Sequence, residues 1–167
     1  MKVLDHFSVP YQGLKNGMHT FHFQVDDTFF ECFESALVKK GSFEVTLDID
    51  KRPDMAVASF ILEGEAEVTC DRCLGEFMLP IDTEFVLHIK YGTGDDAEDE
   101  VMFIDEDTSQ VNFAQPIYEW ICLSLPMVKA HEDVADCDPE VIQRLKDTGD
   151  DNDDNSPWSS LKDLHFE

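Results

Sequence analysis

Alternation of apolar and polar residues through the first half of the chain is the pattern that most constrains its fold. Between residues 43 and 49, every odd position is apolar and every even position is polar. Apolar residues also recur at every second position within residues 18–25, 66–70, 77–81 and 85–89. Because successive side chains of a strand point to opposite faces, these segments predict strands with one buried face. Residues 55–62 are almost continuously apolar, with Gly64 interrupting the run, and predict a central strand.

Helices are expected beside these strands. Residues 27–39 carry apolar residues at spacings of three and four, and Gly41 follows them, as expected beyond the end of a helix. Residues 112–125 carry an apolar stripe, and residues 139–147 begin at a proline. The sequence therefore predicts an α+β fold, in which two to three helices cover a mostly antiparallel β-sheet that extends from about residue 18 to residue 104.

The composition near the C-terminus separates a tail from this domain. A chain of 167 residues favours one domain, which we place at residues 1–147. Residues 148–155 contain no apolar side chain, so we expect an acidic disordered linker at residues 148–156. Residues 157–167 regain apolar side chains, and Trp158, Leu161 and Leu164 form a candidate partner-binding motif.

Charge limits the partners that the chain can bind. It has 12 Lys and Arg residues against 37 Asp and Glu residues, for a formal net charge of −25. RNA binding depends on basic side chains that displace counterions from phosphates, so this balance disfavours direct RNA binding. A strongly negative field instead attracts basic partners.

The sequence favours a cytoplasmic protein. Its first residues lack the apolar run of a signal peptide, and no stretch approaches the roughly 20 apolar residues of a membrane span. Five cysteines are an odd number, which argues against a complete disulfide framework. We therefore expect no association with membranes, and thiols that are reduced or bound to metal.

Four residues form a candidate metal site. Cys70 and Cys73 are separated by two residues, and His131 and Cys137 lie about sixty residues further along the chain. A Cys-x-x-Cys turn presents two thiolates from one bend, and a distant pair can complete the tetrahedron that zinc prefers. One structural zinc ion is therefore the candidate cofactor.

Two other interpretations of these cysteines stay open. They could be free thiols at a strand end and in a loop, or Cys70 and Cys73 could form a redox pair. Thioredoxin-like chemistry requires the pair at the start of a helix, whereas this pair follows a predicted strand. No arrangement of residues for catalysis can be identified, so we predict that the protein is not an enzyme.

Three blocks of the sequence resemble one protein family. Residues 68–77, Val-Thr-Cys-Asp-Arg-Cys-Leu-Gly-Glu-Phe, are similar to the Cys-x-Arg-Cys-Leu-x-x-Phe signature of the YceD-like proteins. Residues 121–126, Ile-Cys-Leu-Ser-Leu-Pro, with His131 and Cys137 beyond them, resemble the second block of that family. Residues 155–162, Asn-Ser-Pro-Trp-Ser-Ser-Leu-Lys, resemble its C-terminal box, so the resemblance covers roughly residues 40–165.

The resemblance implies a protein needed for the accumulation of large-subunit ribosomal RNA, in a family without an accepted enzymatic activity. Many relatives carry further cysteines after the second block, where this chain has only His131 and Cys137. Together with the charge, the resemblance leads to the hypothesis that the chain binds a basic ribosomal protein or a ribosome-assembly intermediate. The alternative is a zinc- or thiol-dependent enzyme or redox protein that uses Cys70 and Cys73.

Overall fold

The computed structural model describes residues 2–33, 37–92 and 100–149. The chain forms two compact units: one contains the residues up to Val68 together with Phe77–Met127, and the other contains Thr69–Glu76 together with the residues from Val128 onward. Apart from residues 148 and 149, the predicted linker at 148–156 lies outside the described residues. So does the predicted motif with Trp158, Leu161 and Leu164.

The described residues form seven strands and four α-helices. In chain order they are α1 (Lys2–Asp5), β1 (Ser8–Val9), β2 (Gly17–Val25), α2 (Asp27–Phe30), β3 (Gly41–Lys51), β4 (Met55–Thr69), β5 (Glu76–Tyr91), β6 (Val101–Ile104), β7 (Val111–Asn112), α3 (Ala114–Leu123) and α4 (Pro139–Gly149). A 3₁₀-helix, Val134–Asp136, precedes α4. No helix in these ranges is long and apolar enough to cross a membrane.

The main sheet has the strand order β2-β3-β4-β5-β6. β3 pairs antiparallel with β2 on one side and with β4 on the other, whereas the short β6 pairs parallel with β5. β1 and β7 form a separate two-stranded antiparallel sheet. The predicted α+β fold with a mostly antiparallel sheet is confirmed, and the apolar segment at residues 55–62 belongs to β4, the middle strand.

The buried face of the sheet carries the core. The odd-numbered residues of β3 from Phe43 to Ile49 are all buried, as the alternation predicts. Phe60 of β4 stacks on Phe85 of β5 at 4.3 Å between ring centroids, and Phe85 stacks on Trp120 of α3 at 4.6 Å. Burial of such a side chain contributes about 1.5–3 kcal/mol, so this aromatic stack holds α3 on the sheet.

β4 continues without a break through Gly64, where the sequence suggested an interruption. Gly64 lies opposite Phe43 in the register with β3. A Cβ atom at residue 64 would overlap the carbonyl oxygen of Ser42 and would lie 2.7 Å from the Cα atom of Phe43. The glycine therefore allows close approach of two backbones and does not end the strand.

β5 is also one strand, although the pattern predicted separate strands at residues 77–81 and 85–89. Pro80 lies inside it and lacks an N–H group. The N–H group of His88 donates to Glu100 O, on the side of β5 away from β4. Pro80 lies eight residues before His88, and backbone groups at even spacings along a strand face the same side, so the nitrogen of Pro80 also faces away from β4. On that side, β6 pairs with β5 only from His88 onward. The missing donor therefore costs no ladder hydrogen bond.

The prediction of one helix over residues 27–39 is wrong for most of that range. α2 ends at Phe30, and the described residues from 37 onward are not helical. A helix over 27–39 would span about 20 Å, but the N–H group of Gly41 donates to Asp27 Oδ1 at 3.0 Å. The chain therefore returns to the start of α2. Phe29 and Phe30 are buried as expected, but Leu37 is exposed.

The two later helices form as predicted. α3 occupies most of residues 112–125, and Pro116 is its third residue, where a missing N–H group is tolerated. Asn112 Oδ1 accepts a hydrogen bond from the N–H group of Ala114 at the start of α3. α4 begins at Pro139, as the sequence indicates.

We predict that Gly64→Ala lowers the free energy of unfolding by about 1–3 kcal/mol, the usual cost of an overpacked site. The added Cβ would meet backbone atoms of Ser42 and Phe43, which cannot move without disturbing β3. Urea denaturation of the full chain measures the change. Gly13→Ala is the control, because its Cβ would meet Pro10 O at an ordinary 3.6 Å. Equal stability of the two variants would contradict this account.

We predict that Asp26→Ala destabilises the chain by about 1 kcal/mol at neutral pH, because Asp26 caps α2. Hydrogen bonds from Thr28 hold the pKa of Asp26 below its usual value. Stability from a lowered carboxyl pKa is present above the unfolded pKa and is lost as the carboxylate becomes protonated. The difference between wild type and variant in urea denaturation should therefore shrink from about pH 7 to about pH 3. Asp54→Ala, in the exposed β3–β4 turn, is the control for removal of one negative charge. A difference between wild type and Asp26→Ala that is the same at both pH values would contradict this account.

Candidate metal centre

A tight turn after β4 holds the first two cysteines. The N–H group of Cys70 donates to Gly75 O at 2.8 Å, and that of Leu74 donates to Cys70 O at 2.8 Å. Leu74 has a φ of 62°, in the left-handed region that few residues other than glycine adopt. The turn therefore places Cys70 and Cys73 close together while the exposed Leu74 adopts a strained conformation.

The second pair lies in the loop before α4, and Cys137 is held between two capped helices. Asp133 Oδ1 accepts from the N–H group of Ala135 at the start of the 3₁₀-helix, and the N–H group of Cys137 donates to Val134 O at 3.1 Å. Directly after Cys137, Asp138 Oδ1 accepts from the N–H group of Glu140 in the first turn of α4. These caps fix the backbone on both sides of the thiol.

Residues inside the Cys-x-x-Cys turn connect it to this loop. The N–H group of Asp71 donates to Lys129 O at 2.6 Å, and the N–H group of Lys129 donates to Asp71 Oδ2 at 2.7 Å. Arg72 Nη1 donates to Cys137 Sγ at 3.7 Å. The sequence did not predict these three hydrogen bonds, because an aspartate and an arginine in a turn are common and do not indicate a specific partner.

The fold brings all four predicted residues together. Their ligand atoms lie within 4.8 Å of one another, and we call Cys70, Cys73, His131 and Cys137 the Cys3His cluster. Nδ1 of His131 lies 3.6 Å from Cys73 Sγ and 3.4 Å from Cys137 Sγ. The three cysteines are buried and His131 is half-buried. Cys32 and Cys122 lie in the other unit and are both half-buried free thiols.

The surroundings of Cys70 and Cys137 shift the pKa values of their thiols in opposite directions. Burial of Cys70 disfavours its thiolate, but N–H groups of Cys73, His131 and Arg72 donate to the sulfur, and together these effects lower its pKa to about 6. Burial raises the pKa of Cys137, and the guanidinium of Arg72 opposes that shift. Cys70 is thus prepared as an anionic ligand, because its charge is already stabilised by backbone donors.

The donor set fits a tetrahedral zinc ion. Bonds of about 2.3 Å to sulfur and about 2.0–2.1 Å to nitrogen imply separations of roughly 3.5–3.8 Å between ligands. The two separations between His131 Nδ1 and sulfur, 3.6 and 3.4 Å, lie close to that range. Three thiols and one imidazole are soft and borderline donors, which suit zinc and disfavour magnesium or calcium. The cluster therefore has the residue types and the spacing to hold a metal ion.

Comparison with known proteins identifies the family. The sequence model of the family described as "Large ribosomal RNA subunit accumulation protein YceD" matches residues 58–165, which is more than half of the chain. The matched span includes every member of the Cys3His cluster. No curated protein and no solved structure matches the chain. The resemblance seen in the sequence is confirmed, and the chain belongs to the YceD family.

Proposed function

We propose that the protein is a non-enzymatic ribosome-biogenesis factor that supports the accumulation of large-subunit ribosomal RNA. The description of its family, which names accumulation of the large ribosomal RNA subunit, is the observation that supports this role. In this proposal the protein acts by binding and does not transform a substrate.

The partner in this proposal is a basic ribosomal protein or a ribosome-assembly intermediate. The supporting observation is the net charge of −25, which repels RNA phosphates and attracts lysine- and arginine-rich surfaces. A basic ribosomal protein without RNA carries exposed positive charge that binds polyanions without specificity. The acidic chain would shield that charge until ribosomal RNA replaces it.

The Cys3His cluster is proposed to hold one structural zinc ion. All four ligands belong to one compact unit and come from two segments, the turn at 69–76 and the loop before α4. A zinc ion bound to both segments would add to the hydrogen bonds between Asp71 and Lys129. All four coordination positions would be filled by protein, which is typical of structural zinc and leaves no open position for a substrate.

A thiol redox protein is the rival from another functional class. The lowered pKa of Cys70 suits a nucleophilic thiolate as well as a zinc ligand. The fourfold donor set favours zinc, because a redox pair needs only two sulfurs and an accessible one, whereas Cys70 and Cys73 are both buried.

We predict that the purified chain contains about one zinc ion, and that Cys70→Ser and Cys137→Ser each lose it, because a serine hydroxyl is a poor substitute for a thiolate ligand. Elemental analysis measures the metal. Cys32→Ser is the matched control and should retain zinc, since Cys32 lies outside the cluster and its thiol donates to Thr28 O at 3.3 Å.

A chelator provides a test that needs no variant. Removal of zinc from the wild-type chain should expose the thiols of Cys70, Cys73 and Cys137 to alkylation, and added zinc should protect them again. A chain that binds no zinc and forms a reversible disulfide between Cys70 and Cys73 would overturn the zinc proposal in favour of the redox alternative.

We predict that the immobilised full chain retains basic proteins extracted from large ribosomal subunits at low salt and releases them at high salt. The reason is that screening lengths fall from about 30 Å at 0.01 M salt to about 3 Å at 1 M salt. Retained protein is identified by mass spectrometry across a salt gradient. Acetylation of the lysines in the extract removes their charge but leaves the arginines charged, and this control should weaken retention.

The competing result is direct RNA binding. Tight, salt-sensitive retention of protein-free ribosomal RNA by the immobilised chain, with no retention of the extracted proteins, would contradict the proposed partner.

A further inference from the structure

β2 forms a long open edge of the main sheet. In the described part of the chain it pairs only with β3, over all nine residues from Gly17 to Val25. The opposite edge is β6, which has four residues and is flanked by Glu100 and by three acidic residues at 105–107. An edge strand presents unpaired backbone donors and acceptors that can pair with another chain.

The register shows which backbone groups face that open edge. Arg52, the residue directly after β3, donates its N–H group to Met55 O in β4. Bonding alternates along the strand, so the even-numbered residues of β3 also bond to β4. Antiparallel bonding alternates along a strand, so odd-numbered residues of β3 bond to β2. Their partners in β2 are also odd-numbered, because Gly17 pairs with Lys51. The N–H and C=O groups of the remaining residues therefore face the open edge: Met18, Thr20, His22 and Gln24.

This edge lacks the features that usually block strand addition. Natural edges carry charged side chains, prolines or bulges that prevent pairing with other strands. β2 reads Gly-Met-His-Thr-Phe-His-Phe-Gln-Val and contains no proline, aspartate, glutamate, lysine or arginine, although 29% of the chain is charged. Its nine residues are paired with β3 without a bulge in the register.

The core is incomplete beside this edge. Phe21 and Phe23 are only partly buried, whereas their partners in β3, Leu47 and Val45, are fully buried. An open cavity of about 490 Å³ lies next to Phe23 and His22. One more strand beside β2 would cover the exposed parts of both phenylalanine rings, since neighbouring strands lie about 4.8 Å apart.

Charge selects the partner that can add such a strand. Outward-facing side chains of β3 next to β2 include Glu44, opposite Gln24, and Asp48, opposite Thr20. A second copy of this chain would bring another net charge of −25 to the edge, so self-pairing is opposed by repulsion. An extended segment with lysine or arginine at alternate positions would place its charges on the acidic outer face of the sheet.

We propose that β2 binds an extended basic segment of a partner protein, which adds to the sheet as a sixth strand. This inference rests on the proposed function, because it supplies the surface on which the basic ribosomal protein would be held. Backbone hydrogen bonds would give affinity, the acidic face would select basic side chains, and Phe21 and Phe23 would contact the inward-facing apolar side chains of the added strand.

A matched pair of variants tests the proposal. His22→Pro removes an N–H group that faces the open edge and leaves every backbone hydrogen bond between β2 and β3 in place, since proline is tolerated on an edge strand. His22→Ala is the control, because both variants lose the contact of His22 Nδ1 with Thr46 Oγ1. The probe is the mixture of basic proteins extracted from large ribosomal subunits. We expect His22→Pro to weaken retention by about tenfold relative to His22→Ala.

Hydrogen exchange on the isotope-labelled wild-type chain gives an independent readout. The amides of Thr20 and His22 should exchange fast in the free chain and become protected when the extracted proteins are bound. Amides of Phe21 and Phe23, which already bond to β3, are the internal control. Protection of Thr20 and His22 in the free chain would overturn the proposal, because the edge would then already be covered.

The outcomes separate this inference from the proposed function. No retention of extracted proteins by the wild-type chain rejects the proposed partner and the inference together. Equal retention by His22→Pro and His22→Ala, without protection of Thr20 and His22, rejects only the edge strand as the binding surface. A concentration-dependent dimer that His22→Pro dissociates and His22→Ala does not would assign the edge to self-association and overturn the proposal.

Discussion

The register between β3 and β4 is the constraint on which the rest of the molecule depends. Eleven residues of β3 pair with β4, and Gly64 lets the two backbones approach where Phe43 crosses. A slip of one residue would move every buried side chain to the opposite face. The same register places the even-numbered residues of β3, among them Glu44 and Asp48, on the outer face of the sheet. It therefore determines the acidic outer face as well as the core. It also determines which groups of β2 face the open edge.

Local pattern predicted those parts of the fold that depend on side-chain alternation, and it failed where a distant contact decides the conformation. The strands at 43–49 and 55–62 were predictable because each shows its burial pattern along its own length. The end of α2 was not, because it depends on the hydrogen bond between Asp27 and Gly41, fourteen residues apart. The continuity of β5 through Pro80 depends on where β6 pairs, which no local pattern records.

The candidate metal site shows the same division. Its four candidate ligands could be named from the sequence, because few residue types bind zinc and cysteine and histidine are among them. Their convergence could not be established, because about sixty residues separate Cys73 from His131. The groups that hold the site, Asp71 against Lys129 and Arg72 against Cys137, use common residue types and become recognisable only when both segments are placed.

Acidity and the uncharged edge strand are two parts of one physical arrangement. Most proteins protect an edge with a local charge, which also repels any partner strand of the same sign. A net charge of −25 distributed over the whole chain repels other copies from a distance and leaves β2 itself uncharged. The even-numbered residues of β2 direct their backbone groups to the open edge and their side chains to the outer face of the sheet. Residues of an added strand that lie opposite them would also face outward, on the face that carries Glu44 and Asp48. The acidity of the chain thus discourages self-pairing and at the same time favours a basic strand at the same edge.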